Sequence, residues 1–283
     1  MKRIKSIVLI ALAIICSFNI GLSQNKAKEI KKTLYPIVLI STNLGDIKIR
    51  LSEQTPLHSE NFIKLIEQKY YDSLLFHRVI NNFMIQGGDP QSKHAMPGKT
   101  LGEGGPAYTI PAEFVDTLIH KKGALAAARQ GDDVNPMKAS SGSQFYIVHG
   151  RVWSNQDLDK MELQQNKQIV FNELLAKPEW AAFKQKFIQF QQTGRQDSLQ
   201  KLFTEIEPTL NSEMAKGKRF SYNDQQRKYY TTIGGTPHLD RNYTVFGEVI
   251  EGLDVIDKIA VLNCDGNNRP LQDVIMNVKL IKK

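Results

Sequence analysis

The 283-residue sequence has two cysteines, Cys16 and Cys264. Cys16 lies just after an N-terminal apolar run, so once that segment is removed only Cys264 remains and an internal disulfide is excluded. The six histidines (His58, His77, His94, His120, His149 and His238) are scattered. Without clustered His and Cys ligands, a structural zinc site is not expected. No Lys/Arg block and no repeated aromatic platform accompany the formal charge of +8, which argues against nucleic acid as a partner. Beyond the N-terminus no apolar run approaches the ~20 residues of a spanning helix. What remains, 41% hydrophobic and 23% charged, is the composition of an ordinary globular protein.

The N-terminus reads as a signal peptide. Lys2, Arg3 and Lys5 precede the apolar run Ile7 to Ile15, and Gly21-Leu22-Ser23 puts small residues where signal peptidase inspects the chain. Cleavage after Ser23 leaves Gln24 first, lowers the formal charge from +8 to +5, and makes the product an exported, most simply periplasmic, protein that spans no membrane. The alternatives are a retained anchor, for which the run is short, and a lipoprotein through Cys16, for which Ile15 stands where a small residue belongs.

Residues 24–36 form a linker, and from Ile37 to about Gly150 strand patterns dominate. Asp46-Ile47-Lys48-Ile49-Arg50-Leu51 alternates polar and apolar, the period of a half-buried strand. Thr55-Pro56 resembles a helix start, with Thr as N-cap and Pro in the first turn, and the apolar face continues through Phe62, Leu65 and Ile66 to Lys69. Between about 155 and 231 the texture becomes glutamine-rich and helical. Pro178 opens a helix with Trp180, Phe183, Phe187 and Phe190 on one face, a stripe that reads as core packing; Gly194 ends it, and Pro208 breaks or kinks the next. Strand texture returns from Thr232, with a short helix over Leu253–Ala260. A single β domain, 37–154 plus 232–283, interrupted by a helical insertion, 155–231, accounts for the like character of its two ends.

Five blocks carry a family resemblance. Phe76-His77-Arg78-Val79-Ile80-Asn81-Asn82-Phe83-Met84-Ile85-Gln86-Gly87-Gly88-Asp89 closely resembles the signature of cyclophilins. Gly104 to Phe114, Gly123 to Arg129, Ser141 to Ile147 and Leu239 to Gly247 follow in the family's order. The resemblance implies a closed eight-stranded antiparallel barrel capped by two helices, and peptidyl-prolyl cis–trans isomerase activity.

The chemistry of that activity is simple. An X-Pro bond resists rotation by ~18–20 kcal/mol because of amide resonance. Catalysis needs no metal, cofactor or nucleophile, only a site that binds the twisted amide better than the planar one. On twisting, the prolyl nitrogen regains a lone pair and accepts a hydrogen bond. Arg78 matches the family's donor to that nitrogen, while Phe83, Met84, Tyr146 and Leu239 fall at its proline-pocket positions. Gln86 matches the residue that orients substrate and arginine, and Gln144 with the Ala128–Arg129 backbone lines the peptide groove. Singly, these residues read as core hydrophobes and a solvated charge; five ordered blocks reverse that reading. His77, beside Arg78 on a strand, points the other way and reads as structural.

The departures are His238 in place of a tryptophan and Tyr243 in place of a histidine, both site positions, and Tyr146 and Arg129 where phenylalanine and asparagine are common. They imply weak cyclosporin binding, because an imidazole buries less apolar area than an indole. The Gln130–Ser140 loop reads as long for the family and close enough to the groove to narrow substrate choice. Proline-containing unfolded or folding polypeptides are the implied partners. The alternative functions are a proline-recognising binding protein or holdase chaperone, and a structural subunit of an envelope complex.

Overall fold

The protein is described by a computed structural model over residues 35–217 and 219–282. The signal-peptide reading, with Cys16 and the cleavage point, lies outside the described residues. Strands β1 (Ile37–Thr42) and β2 (Gly45–Leu51) form a hairpin in which the predicted alternation is realised. Ile47, Ile49 and Leu51 are buried, while Lys48 and Arg50 pair outward with Glu251 and Glu248. Helix α1 (Pro56–Glu67) follows, then β3 (Leu74–Leu75), β4 (Arg78–Ile80), β5 (Met84–Gly87), β6 (Thr109–Ile110), β7 (Ala124–Ala127), β8 (Ser140–Ser141) and β9 (Phe145–Val148). Four helices come next: α2 (Asn155–Leu175), α3 (Ala181–Gln192), α4 (Gln196–Met214) and α5 (Asp224–Thr232). Strand β10 (Val245–Glu251), helix α6 (Leu253–Ala260) and β11 (Ile275–Lys282) close the chain.

The main sheet corrects the expectation of a closed eight-stranded barrel. Among the described residues it has nine strands, all pairs antiparallel, in the order β3-β11-β1-β2-β10-β7-β9-β5-β4, and β6-β8 form a separate pair. Its two end strands, β3 and β4, are separated by only Phe76 and His77, so the sheet must curl until its ends approach. It forms a curled half-barrel without a closing ladder: the Phe76 and Val79 amides donate instead to the carbonyls of Val274 and Asn268. The main core fills this curl. Phe62, Leu65 and Ile66 of α1 and Val255, Ile256 and Ile259 of α6 cover the inward-facing strand residues.

Helix α1 begins at Pro56 as read, but Thr55 does not cap it: its hydroxyl is buried without a hydrogen-bond partner. Glu113 caps the helix instead, accepting from the Leu57 and His58 amides at 3.2 and 3.0 Å and from His58 Nδ1 at 2.7 Å. The helix stops at Glu67, two residues short of Lys69, which has a left-handed φ of 55°.

In the inserted helices, Pro178–Trp180 makes a 3-10 turn ahead of α3 rather than its first turn. Pro208 neither breaks nor ends α4. Its interior position costs about 3 kcal/mol, and Ile206 and Leu210, buried on either side against α2, hold the helix through it. The segment packs as two clusters. Val170, Phe171, Leu174, Ile206 and Leu210 gather Trp180, Phe183 and Phe187 around them, as the stripe implied. Phe190 departs from it and lies beside the Arg195 guanidinium at 5.4 Å. Nearer the sheet, Leu158, Tyr222 and Tyr230 pack with Ile119, which precedes β7. The two ends of the insertion are joined where Arg151 and Lys121 bridge Gly235. Gly150, at φ 65°, comes so close there that a Cβ would stand 2.4 Å from the Gly235 Cα.

Candidate active site

Strand alternation sorts the side chains of β4, β5, β7 and β9 to two faces. Val79, Ile85, Leu125, Phe145 and Ile147 enter the main core. Met84, Ala126, Tyr146 and Val148 therefore gather on the other face, where Leu239 and Val245 join them and Phe83, Ala128 and Tyr243 pack at the margin. Register places the candidate residues side by side: Arg78 pairs with Gln86, Gln86 with Tyr146, and Tyr146 with Ala126. The small side chain at 126 leaves space for the rings across from it.

The result is a cavity of about 270 Å³ walled by Arg78, Phe83, Met84, Tyr146, Leu239 and Tyr243. A groove of about 540 Å³ adjoins it, shares Gln86, Ala128 and Arg129, and adds Gln144 and residues of the Gln130–Ser140 loop. His238 stays exposed and stacks on Phe83 at 5.8 Å. Every site residue read from the sequence lies in or against one of these two depressions. His77 is buried, but it precedes β4 instead of lying on it and, rather than pointing away from Arg78, shares the wall of the smaller cavity with it. Burial pushes its imidazole down to about 4, so it is neutral at physiological pH.

A polar chain runs along the floor. Arg78 Nη1 donates to Gln86 Oε1 at 3.0 Å, and Gln86 Nε2 to Gln144 Oε1 at 2.9 Å. Gln144 Nε2 then donates to the Gly102 and Gly104 carbonyls, both at 2.7 Å. That loop is itself held by buried Asp89, which accepts from the amides of Gln91 and Gly102 at 2.7 and 2.5 Å. Half-burial lowers the Arg78 pKa, but a guanidinium stays charged at any physiological pH. One of its N–H groups is committed to Gln86; a fork of five donors leaves others for a ligand.

The aromatic wall is also pinned. Tyr146 meets Tyr243 edge to face at 5.9 Å, and Arg129 lies 4.5 Å from the Tyr243 ring centre. Arg129 is fixed in turn by the Asn242 carbonyl at 2.7 Å and by Asp132 at 2.6 Å. The Gln130–Ser140 loop is tied to the same rim, Lys138 Nζ donating to Asn242 Oδ1 at 2.6 Å. Behind the wall lie residues that the motifs did not single out as functional. His120, fully buried, contacts the Tyr146 hydroxyl at 3.0 Å through Nε2 and Asp240 Oδ1 at 2.8 Å through Nδ1. Tyr230 donates to Asp240 Oδ2 at 2.5 Å. The available signal was Asp240 itself, an acid inside one of the family blocks, which needs partners if buried.

Among the described residues, no group of three or more His, Cys, Asp and Glu could hold a metal, and no helix is long and apolar enough to cross a membrane. An antiparallel half-barrel that turns an arginine and an apolar aromatic cavity to one face is the architecture of a peptide-binding isomerase of the cyclophilin type. Residues 37–179 and 211–280 match the profile of the family described as cyclophilin type peptidyl-prolyl cis-trans isomerase/CLD. The chain belongs to that family and is a peptidyl-prolyl cis–trans isomerase.

It is 29% identical over 242 residues, 85% of this chain and 88% of the other, to a protein of Staphylococcus saprophyticus named as a peptidyl-prolyl cis-trans isomerase. It is 30% identical over 245 residues to one of Streptococcus pyogenes named as a bifunctional phosphatase/peptidyl-prolyl cis-trans isomerase, of which the alignment spans 37%. The fold is similar to that of a cyclophilin type isomerase of Cryptosporidium parvum, with a TM-score of 0.52, 19% identity, and coverage of 88% of this chain and 99% of that one. The family match extends into the helical segment from both sides, leaving only 180–210 outside it.

Proposed function

We propose that this isomerase accelerates X-Pro rotation in exported proteins, with Arg78 donating to the prolyl nitrogen as the amide twists. The observation that carries the reading is the Arg78 guanidinium, hydrogen-bonded to Gln86 and standing at the wall of an apolar cavity. The planar amide nitrogen is a poor acceptor, so this donor binds the twisted state preferentially, which is the condition for lowering the barrier. Phe83, Met84, Tyr146 and Leu239 supply a dry seat for the ring, where a charge-assisted hydrogen bond is stronger than in water. Gln144 and the Ala128–Arg129 segment offer the neighbouring peptide groups a polar groove. Export rests on the N-terminal signal pattern alone.

The test is a coupled tetrapeptide assay on the processed chain and on Arg78→Ala. Loss of a donor that acts in the transition state should lower kcat/KM by about 2–4 kcal/mol in activation free energy, with an unchanged fold by circular dichroism. Activity near that of the parent would remove Arg78 from the mechanism. Ring recognition without catalysis, the holdase reading, requires that the parent itself be inactive in the assay while peptide binding persists.

A further inference from the structure

We propose that Tyr230, contributed by the inserted helices, is a positioning residue for the isomerase pocket, acting through Asp240 and His120 on Tyr146. The inference rests on the cavity beside Arg78 being the proline site.

Four side chains from separate stretches form one buried line. Tyr230, on α5, is fully buried and its hydroxyl reaches Asp240 Oδ2 at 2.5 Å. Asp240 Oδ1 accepts from both the His120 backbone amide and ring Nδ1, each at 2.8 Å. His120 Nε2 lies 3.0 Å from the Tyr146 hydroxyl, and its ring stacks on that of Tyr146 at 6.1 Å. Only one donor order satisfies every atom. Tyr230 O–H and His120 Nδ1–H both donate to Asp240, which leaves Nε2 to accept from Tyr146 O–H. Burial holds both tyrosine hydroxyls well above their ordinary pKa, so both keep the proton this order needs.

The line has a consequence for the pocket. A phenol in an apolar wall is a liability if its proton is free, since a proline ring would strand it without a partner. Committed to His120, the Tyr146 hydroxyl points into the protein and the ring alone faces the cavity. The ring is then fixed at both ends, by the β9 backbone and by the hydroxyl. Tyr230 completes the arrangement by satisfying the second Asp240 oxygen. Without that hydroxyl, buried Asp240 has an open acceptor and freedom to turn, and His120 loses the fixed partner that orients it. Docking of α5 is thereby read out at the proline seat.

Tyr230→Phe keeps the ring and its packing while removing the hydroxyl, and Tyr222→Phe is the control. Tyr222 also ties the insertion to the rest of the fold, donating to the Pro237 carbonyl at 3.2 Å, but it does not belong to the line. In the tetrapeptide assay Tyr230→Phe should lower kcat/KM by about fivefold, Tyr222→Phe should have no effect, and Tyr230→Phe should cost nothing more in a Tyr146→Phe background, because residues acting through one chain are non-additive. An unchanged Tyr230→Phe, a loss that adds fully to that of Tyr146→Phe, or an equal loss in Tyr222→Phe would each overturn the inference. Arg78→Ala is run alongside. If it stays active, the assignment of the cavity fails; if it is inactive while Tyr230→Phe is normal, only the inference about Tyr230 fails.

Discussion

At the scale of single residues, the site is built from side chains whose freedom has been removed by a second layer. Arg78 is set by Gln86, Gln86 by Gln144, and Gln144 by two carbonyls that Asp89 holds in place. The first links in this chain were legible, because they sit inside sequence blocks of recognisable type. His120, Asp240 and Tyr230 were not, because their significance arises only when residues 120 and 230–240 are brought together. His77 illustrates the same limit: it precedes β4 instead of lying on it, so alternation from Arg78 did not place it, and it shares the cavity wall with Arg78. Its acid titration is a testable property. Burial lowers the folded-state pKa to about 4 from 6.5, so between those values the unfolded chain takes up a proton that the folded chain refuses. Stability from this source is complete above about pH 6.5 and is lost on acidification, by about 3 kcal/mol near pH 4. Urea denaturation across pH 4–7 should show a shallower acid decline in His77→Gln than in the parent. Parallel curves would mean that the imidazole titrates normally.

At the scale of elements, period and punctuation were sufficient for β2 and for α6, whose bounds match the expected Leu253–Ala260. They failed where long-range partners override local preference. Thr55-Pro56 has the composition of a helix start, yet the cap comes from Glu113, 58 residues beyond Thr55 in the chain. The carboxylate meets two open amides and His58 together, and suits the positive end of the helix dipole. Pro208 is the converse case, a breaker overridden by tertiary packing of its helix. The cap assignment gives opposite expectations for two substitutions. Glu113→Ala should lower unfolding free energy by about 2 kcal/mol, since it strips donors at a helix terminus and a buried imidazole. Thr55→Val should change it by less than about 0.5 kcal/mol, because the hydroxyl it removes has no partner. Chemical denaturation measures both, and a larger loss in Thr55→Val than in Glu113→Ala would return the cap to Thr55.

At the scale of the whole molecule, the sequence conveyed a β domain interrupted by helices, while closure of the barrel was beyond it. Whether the sheet's end strands hydrogen-bond depends on what Phe76 and His77 do in space, and the nearby amides go to the 268–274 loop instead. The helical segment likewise divides in a way that its aromatic stripe could not reveal. One cluster, around Leu158, Tyr222 and Tyr230, packs against Ile119 and leads to the pocket. The other, around Phe171, Ile206 and the α3 aromatics, packs on itself. Asn166 and Phe220 mark the boundary by exchanging hydrogen bonds of 2.9 and 3.0 Å across the neck. This division allows a test of whether the self-packed helices handle client chains. Replacing residues 168–218 with a short glycine-serine linker removes the self-packed cluster but keeps the neck and Tyr230. Surface segments that pack on themselves can be shortened at small cost in loop entropy, so the trimmed protein should fold and isomerise a tetrapeptide within about twofold of the parent. If the removed helices hold client chains, the same protein should lose rate on a substrate whose refolding is limited by an X-Pro bond, a step that takes ~10–100 s unassisted. Equal rates on both substrates would leave this cluster without a part in client handling, and a collapse on the tetrapeptide would show that it supports the pocket directly.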